Sequence, residues 1–253
     1  MVRALLARGM LVGAVAGLLA SGFAWIVGEP EVERAIAFEQ HMQQMAGEVG
    51  EQQLVSRATQ STAGLLTGVV VYGAALGGIF ALAFAFAYRR IGTLSPRGTA
   101  AALAAIGFVA LILVPQLKYP ANPPAVGDPA TIGPRTALYF AMMAISVMSA
   151  VAAISTGSQL VRRLGAWNSV LVATGAYVAV VAVAMLILPA VNEVPAEFSA
   201  AALWNFRIAS LGIEAVLWTT IGLAFGRFAE RQFSSERRSD IRGTRGVRQR
   251  PPR

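Results

Sequence analysis

Apolar and polar residues fall in long blocks along this chain. Six apolar runs stand out: Gly9–Val27, Thr62–Tyr88, Thr99–Leu117, Ala137–Gln159, Val170–Leu188 and Ile208–Phe225. Each holds 18 to 27 residues. At about 1.5 Å rise per residue they reach roughly 27–40 Å, enough to cross a hydrocarbon core of about 30 Å. Only the last run contains a charge, Glu214. The pattern predicts an all-α integral membrane protein with six transmembrane helices. Residues 1–230 form the polytopic domain, and 231–253 form a disordered, arginine-rich tail without apolar periodicity. Small residues around Ala20–Ala24 weakly resemble a signal-peptide cleavage site. The apolar stretch continues through Trp25, Ile26 and Val27, however, which is long for such a signal, so the first run is read as a retained span.

Charge gives the six runs an orientation. With six crossings, the N-terminus, the second and fourth loops and the C-tail share one side. They hold 16 of the 21 basic residues, nine of them from Arg227 onward. The other side holds Arg34, Arg57, Lys118, Arg135 and Arg207 and nine of the 13 acids. Cytoplasmic loops carry the excess of Lys and Arg, so both termini of this multi-pass chain are expected in the cytoplasm. The net charge of +8 comes largely from the tail. Beside a membrane span, such a tail fits anionic lipid headgroups better than nucleic acid. The absence of cysteine removes disulfides, thiolate metal sites and iron–sulfur clusters. No GxxxxGK[ST] is present, so the chain carries no P-loop. Gly73-Ala74-Ala75-Leu76-Gly77-Gly78 lies inside a span and reads as helix packing.

A weak repeat runs at about 73 residues: Arg89-Arg90-Ile91-Gly92 recurs as Arg162-Arg163-Leu164-Gly165, and Leu111 to Pro115 as Leu186 to Pro189. Each outward helix is followed by a proline-bearing loop (Glu29-Pro30, Pro115 to Pro134, Pro189 to Pro195), and each returning helix starts beside Arg57, Arg135 or Arg207. The reading is three two-helix hairpins in parallel orientation, as occurs in transporters. Charge alternation alone would give any such protein this period, but the RRxG and LIL(V)P matches go beyond charge. Gly9, Gly13 and Gly17, then Gly64 and Gly68, then Gly73 and Gly77 fall four apart, the spacing that lets helix backbones approach in lipid.

Several residues could carry chemistry. Glu214 lies about 10 Å into the last span by helix rise. Ionisable groups at such depth usually face a pathway or a partner, and Arg207, two turns earlier, is the expected partner. Glu214 is thus either an ion or proton ligand or a packing device. Arg57, Arg135 and Arg207 oppose helix macrodipoles, which calls for nearby carboxylates: Glu29, Asp128, Glu193 and Glu197 lie on the same face. A mouth ring of Arg–carboxylate pairs follows, with interfacial anchoring as the plain alternative. In the first outer loop, Ala35, Ile36, Phe38, Met42, Met45 and Val49 recur at helical spacing and predict an amphipathic helix on the membrane surface. It carries His41, with Glu39, Met42 and Met45 nearby. Imidazole, carboxylate and thioether suit a borderline transition metal, although one histidine makes a weak site and a solvated histidine is the plainer reading. Five prolines between Lys118 and Arg135 predict a rigid strap, clamped by a Lys118–Asp128 ion pair. Asn192, Glu193 and Glu197 lie in a similar loop. The candidates for the metal or its pathway are therefore Glu214, Glu29, Glu39, His41, Asp128, Asn192 and Glu193. Those for mouth ion pairs are Arg57, Lys118, Arg135 and Arg207.

The string Lys118 to Arg135 resembles the signature of the CbtA family, predicted cobalt transporter subunits. So do Gly28-Glu29-Pro30, Ala35 to Glu39, Ser56 to Gln60, Arg162 to Asn168, Leu188 to Phe198, Leu203 to Arg207 and Ile221-Gly222-Leu223. The resemblance covers about Ala4 to Glu230. It implies a small polytopic inner-membrane protein that imports cobalt, a transported substrate and no permanently bound cofactor. It also implies a one-span partner resembling CbtB. Relatives look richer in histidine in the first outer loop, so this chain would collect metal weakly or borrow ligands from its partner. Two readings follow: a divalent-metal permease, or a non-transporting scaffold or accessory subunit. No nucleophile motif, redox centre or cofactor fingerprint points to an enzyme.

Overall fold

The computed structural model describes residues 2–47, 55–90, 94–124 and 126–248, and side-chain surroundings from 3 to 234. Glu48, Val49, Glu51, Ile91, Gly92 and Ala125 lie outside the described residues. The regular elements of the described chain are all helices, without strands. Five helices are long and apolar enough to cross a membrane: α1 (Arg3–Ala46), α2 (Arg57–Ala87), α3 (Pro96–Lys118), α4 (Pro129–Ile187) and α5, whose apolar stretch is Ala200–Ser234. In bilayer interiors only such segments satisfy their own backbone polar groups.

The tightest contact in the molecule is made of glycine. Gly9 and Gly13 of α1 lie against Gly77 and Gly73 of α2, and Gly17 against the Val69–Val70 backbone. A Cβ at Gly13 would overlap the Gly73 carbonyl, and one at Gly77 the Gly9 carbonyl. Lipid supplies no hydrophobic drive for helix association, so backbone-to-backbone packing of this kind carries the pairing. Gly64 and Gly68 take no part: nothing from another helix lies near either. A second small-residue seam joins α3 to α5, with Ala100 and Ala104 facing Gly226 and Gly222. Around both seams sits the main core, which includes Leu5, Val12, Phe80, Phe84, Leu217, Ile221 and Phe225. Phe225 meets Phe80 and Phe84 edge-on at 5.4 and 5.1 Å, and each such pair is worth about 0.5–1.5 kcal/mol beyond area burial.

α4 is 59 residues long, about 90 Å if straight and three times a hydrocarbon core. It folds back at Gly165, where φ is 74° and ψ 168°, a conformation glycine adopts without a Cβ penalty. The legs 132–164 and 166–187 then run side by side: the hydroxyls of Ser146 and Tyr177 are 2.8 Å apart. Only 11% of its most apolar stretch is buried, against 33–39% in the other helices. α4 attaches chiefly to the end of α3, through Val114, Tyr119, Met142, Val181 and Ala184. The expected third hairpin is therefore not a packed pair. The second leg of α4 packs beside the first, and α5 packs on α1 and α3.

Two expected loops are helix. Glu29-Pro30 and Pro115 both lie inside continuous helices, each just past a π-helical turn, Ala24–Gly28 and Val109–Leu113. Proline lacks an N–H and crowds the carbonyl one turn earlier, and the wider π turn absorbs that misfit. The chain after Pro30 thus extends α1, which at 44 residues reaches about 66 Å and leaves any hydrocarbon core. Its apolar side is not free to lie on lipid. Ala35 is buried against Val126, Phe198 and Ala202, and Phe38 meets Phe198 edge-on at 5.1 Å. At the far end the helix backbone continues to Arg248, so 231–248 is helical where the composition predicted disorder. No proline interrupts it before Pro251.

Gly13→Leu should destabilise the folded protein in detergent by about 1–3 kcal/mol or more, the usual range for overpacking. Gly68→Ala, at an open position, should leave melting by tryptophan fluorescence unchanged.

Candidate functional site

The polar side chains of the acidic end and the one carboxylate inside the bundle form two separate groups. At the acidic end, the described residues of the segment Tyr119–Thr131 form a strap, pinned from α4, from α5 and from the loop between them. Glu193 is the hub. Its Oε2 accepts the Asp128 backbone N–H at 3.1 Å and the Thr131 hydroxyl at 2.7 Å, and lies 3.2 Å from Arg135 Nε. Arg135 also donates to the Asp128 carbonyl at 3.0 Å. Its guanidinium lies against Gly127, which takes φ 114° and has no room for a Cβ. Arg207 of α5 donates to the Ala121 carbonyl at 3.2 Å and to Asn122 Oδ1 at 2.9 Å. The Tyr119 hydroxyl donates to the Pro189 carbonyl at 2.8 Å. On the α1–α2 side, Arg57 pairs with Glu29.

Two of the three mouth arginines thus meet carboxylates, and the third meets the strap itself. The expected Lys118–Asp128 clamp does not form. Asp128 is exposed and its Oδ1 accepts the Ala130 N–H at 2.9 Å, capping the short 3-10 turn Pro129–Thr131, while Lys118 sits 5.9 Å over the Tyr119 ring. Short Asp side chains favour such local capping. Glu39 and His41, two residues apart on a helix, face different ways. Glu39 is half-buried beside Gln43, and His41, Met42 and Met45 are exposed. Asn192 is exposed. Among the described residues no group of three or more His, Cys, Asp or Glu side chains is gathered as a metal site.

Glu214 occupies the second group. Arg207 is not its partner, because the strap takes that guanidinium. Instead the polar neighbours of Glu214 come from three helices: Tyr72 of α2, Trp218 one turn further along α5, and Tyr139 of α4. Its Oε2 is buried without a hydrogen-bond partner, as is the Trp218 indole N–H. An unsatisfied carboxylate oxygen in such surroundings is costly. The architecture explains the proximity. Tyr72 precedes Gly73, so the seam that holds α2 on α1 fixes its position, and Gly107 leaves space for the Trp218 ring, where a Cβ would collide.

Sequence reasoning missed Tyr72, Tyr139, Trp218, Asn122 and Thr131. A tyrosine in an apolar run is a usable signal for Tyr72. The strap contacts have none, because they depend on loop closure. Glu31 was also passed over: it is 8% exposed, pairs with Arg34 and leaves Oε2 buried without a partner.

The family model described as "Probable cobalt transporter subunit (CbtA)" matches residues 2–230. No curated protein and no solved structure matches.

Glu193→Ala removes the hub and should loosen the strap, costing about 1.5–3 kcal/mol, the range for hydrogen bonds to charged groups. Faster proteolysis between residues 119 and 135 is the readout. Lys118→Ala should leave the cleavage rate unchanged.

Proposed function

The chain belongs to the CbtA family of probable cobalt transporter subunits, and from that we propose that it carries a divalent transition-metal cation, cobalt first, into the cell. The family match over nearly the whole chain carries this reading. Five membrane-capable helices and the clustering of acids at one end support it. As a transporter subunit the chain works with others, and a one-span partner resembling CbtB fits the shortage of metal ligands. The exposed carboxylates and amides of the acidic end, Asp128, Asn192 and Glu197, would concentrate cations there, with Glu39 and His41 beside the entrance. Glu29 and Glu193 hold the mouth arginines in place, and Glu214 lines the way inward. For a divalent ion the membrane potential contributes about 4.6 kcal/mol per 100 mV.

Both legs of α4 cross in this reading, giving six spans with the termini and the Gly165 turn in the cytoplasm of a bacterial inner membrane. The basic end and tail meet anionic headgroups. No enzyme chemistry and no resident cofactor is part of it. The scaffold reading has one observation in its favour, the lack of a gathered metal site among the described residues.

Radiolabelled cobalt uptake, in cells lacking other cobalt importers and expressing this chain with its partner, tests the proposal. Accumulation that requires the chain supports it. Its absence at normal membrane abundance leaves the scaffold. Because the chain has no cysteine, single substitutions test topology cleanly: Trp167→Cys should react with an impermeant thiol reagent only from the cytoplasmic side, and Asn192→Cys only from the other.

A further inference from the structure

The group around Glu214 does not suit a divalent metal. A cation such as cobalt sheds water only for several well-placed ligands, commonly including more than one anionic or imidazole group. Here there is one carboxylate. The rest are hydrogen-bond donors: Tyr72 of α2, Tyr139 of α4 and Trp218 of α5. α1 and α3 meet this part of α5 at Phe23 against Gly212, Gly28 against Ile213 and Gly107 against Trp218, and none of these residues is ionisable. Arg207, the only cation on this end of α5, is held by Ala121 and Asn122. Among the described residues no cation pairs with Glu214.

We infer that Glu214 is a proton-binding site, occupied and vacated once in each transport cycle, through which metal movement is coupled to a proton gradient. This rests on the transport reading above and adds the coupling ion. Ionised, the carboxylate accepts from Tyr72 of α2 and Trp218 of α5, with Tyr139 of α4 alongside, and draws these helices together. Protonated, it is neutral, has a donor of its own and satisfies one oxygen itself, so one of those donors is released. The open valence at Oε2, beside the Trp218 N–H, marks where that exchange occurs. α4 is the helix least held by the rest of the protein, so it is the one such an exchange can shift. The proton taken from one side is given up to the other, and the carboxyl returns to its starting state.

Membrane vesicles carrying the full chain and its partner test this with cobalt ion as the probe and the membrane potential clamped. For one proton per turnover, the accumulation ratio of the unaltered protein should shift about tenfold per unit of imposed pH gradient. Glu214→Gln should lose gradient-driven accumulation but still exchange labelled for unlabelled cobalt, and Glu214→Asp should keep the pH response. Equal detergent elution of the variants controls for folding. Accumulation by the unaltered chain that ignores the pH gradient overturns the inference and leaves transport standing. So does loss of exchange together with accumulation in Glu214→Gln, which would make the carboxylate a metal contact. No accumulation or exchange by the unaltered chain overturns the transport reading itself.

Discussion

The fold depends on how closely two backbones can approach inside a membrane. α1 and α2 touch where neither carries a side chain, at Gly9, Gly13, Gly73 and Gly77. That contact sets the position of everything on the far side of α2. It fixes the height of Tyr72, and it leaves a face made of Val12, Ala16, Ala20, Phe80 and Phe84 onto which α5 settles. α5 then offers Gly222 and Gly226 to Ala100 and Ala104 of α3. The bundle is a chain of close approaches, each possible only because the one before it brought its partner within reach.

The two ends are fastened differently. At the acidic end, single side chains reach across loops: Glu193 gathers a backbone amide, a hydroxyl and a guanidinium, and Arg207 holds the strap by a carbonyl and an amide. At the arginine end, helices meet directly through Arg97 with Glu230 and Arg8 with Gln232. Strap contacts can be remade one at a time, whereas helix-to-helix contacts yield only if whole helices move. A rearrangement that opens the molecule to water therefore begins more easily at the acidic end.

Much of this was legible in the sequence, for identifiable reasons. Apolar runs announce membrane helices because every residue of a span meets the same solvent. The glycine spacing of α1 and α2 was visible because it is strictly periodic. Glu214 was visible because a charge in an apolar run is conspicuous. Its partners were not, because helical spacing ranks neighbours on one helix and says nothing about which other helices lie alongside. Arg207 and Glu214 share a face, yet at the bundle's edge the strap carbonyls compete for the guanidinium and win. Pro30 and Pro115 misled for a related reason. Proline normally ends a helix in water, whereas at Pro115, inside an apolar segment, and at Pro30, just beyond one, a single π turn lets the helix continue with its backbone groups paired. The hairpin repeat failed as a packing rule at its third unit, because neighbours in sequence are not required to be neighbours in the bundle.

The Arg8–Gln232 contact joins residues 224 positions apart. That separation has a consequence for how the protein is made. α1 enters the membrane first, and α2 can pair with it soon afterward, but the surface they jointly present stays without its protein partner until α5 has been synthesised. α3 must wait in the lipid while the α4 hairpin is made, with its own main docking helix still missing. The native core is thus closed by the last span rather than grown from the first, and a nascent chain interrupted anywhere before α5 has paired glycines but no finished interior.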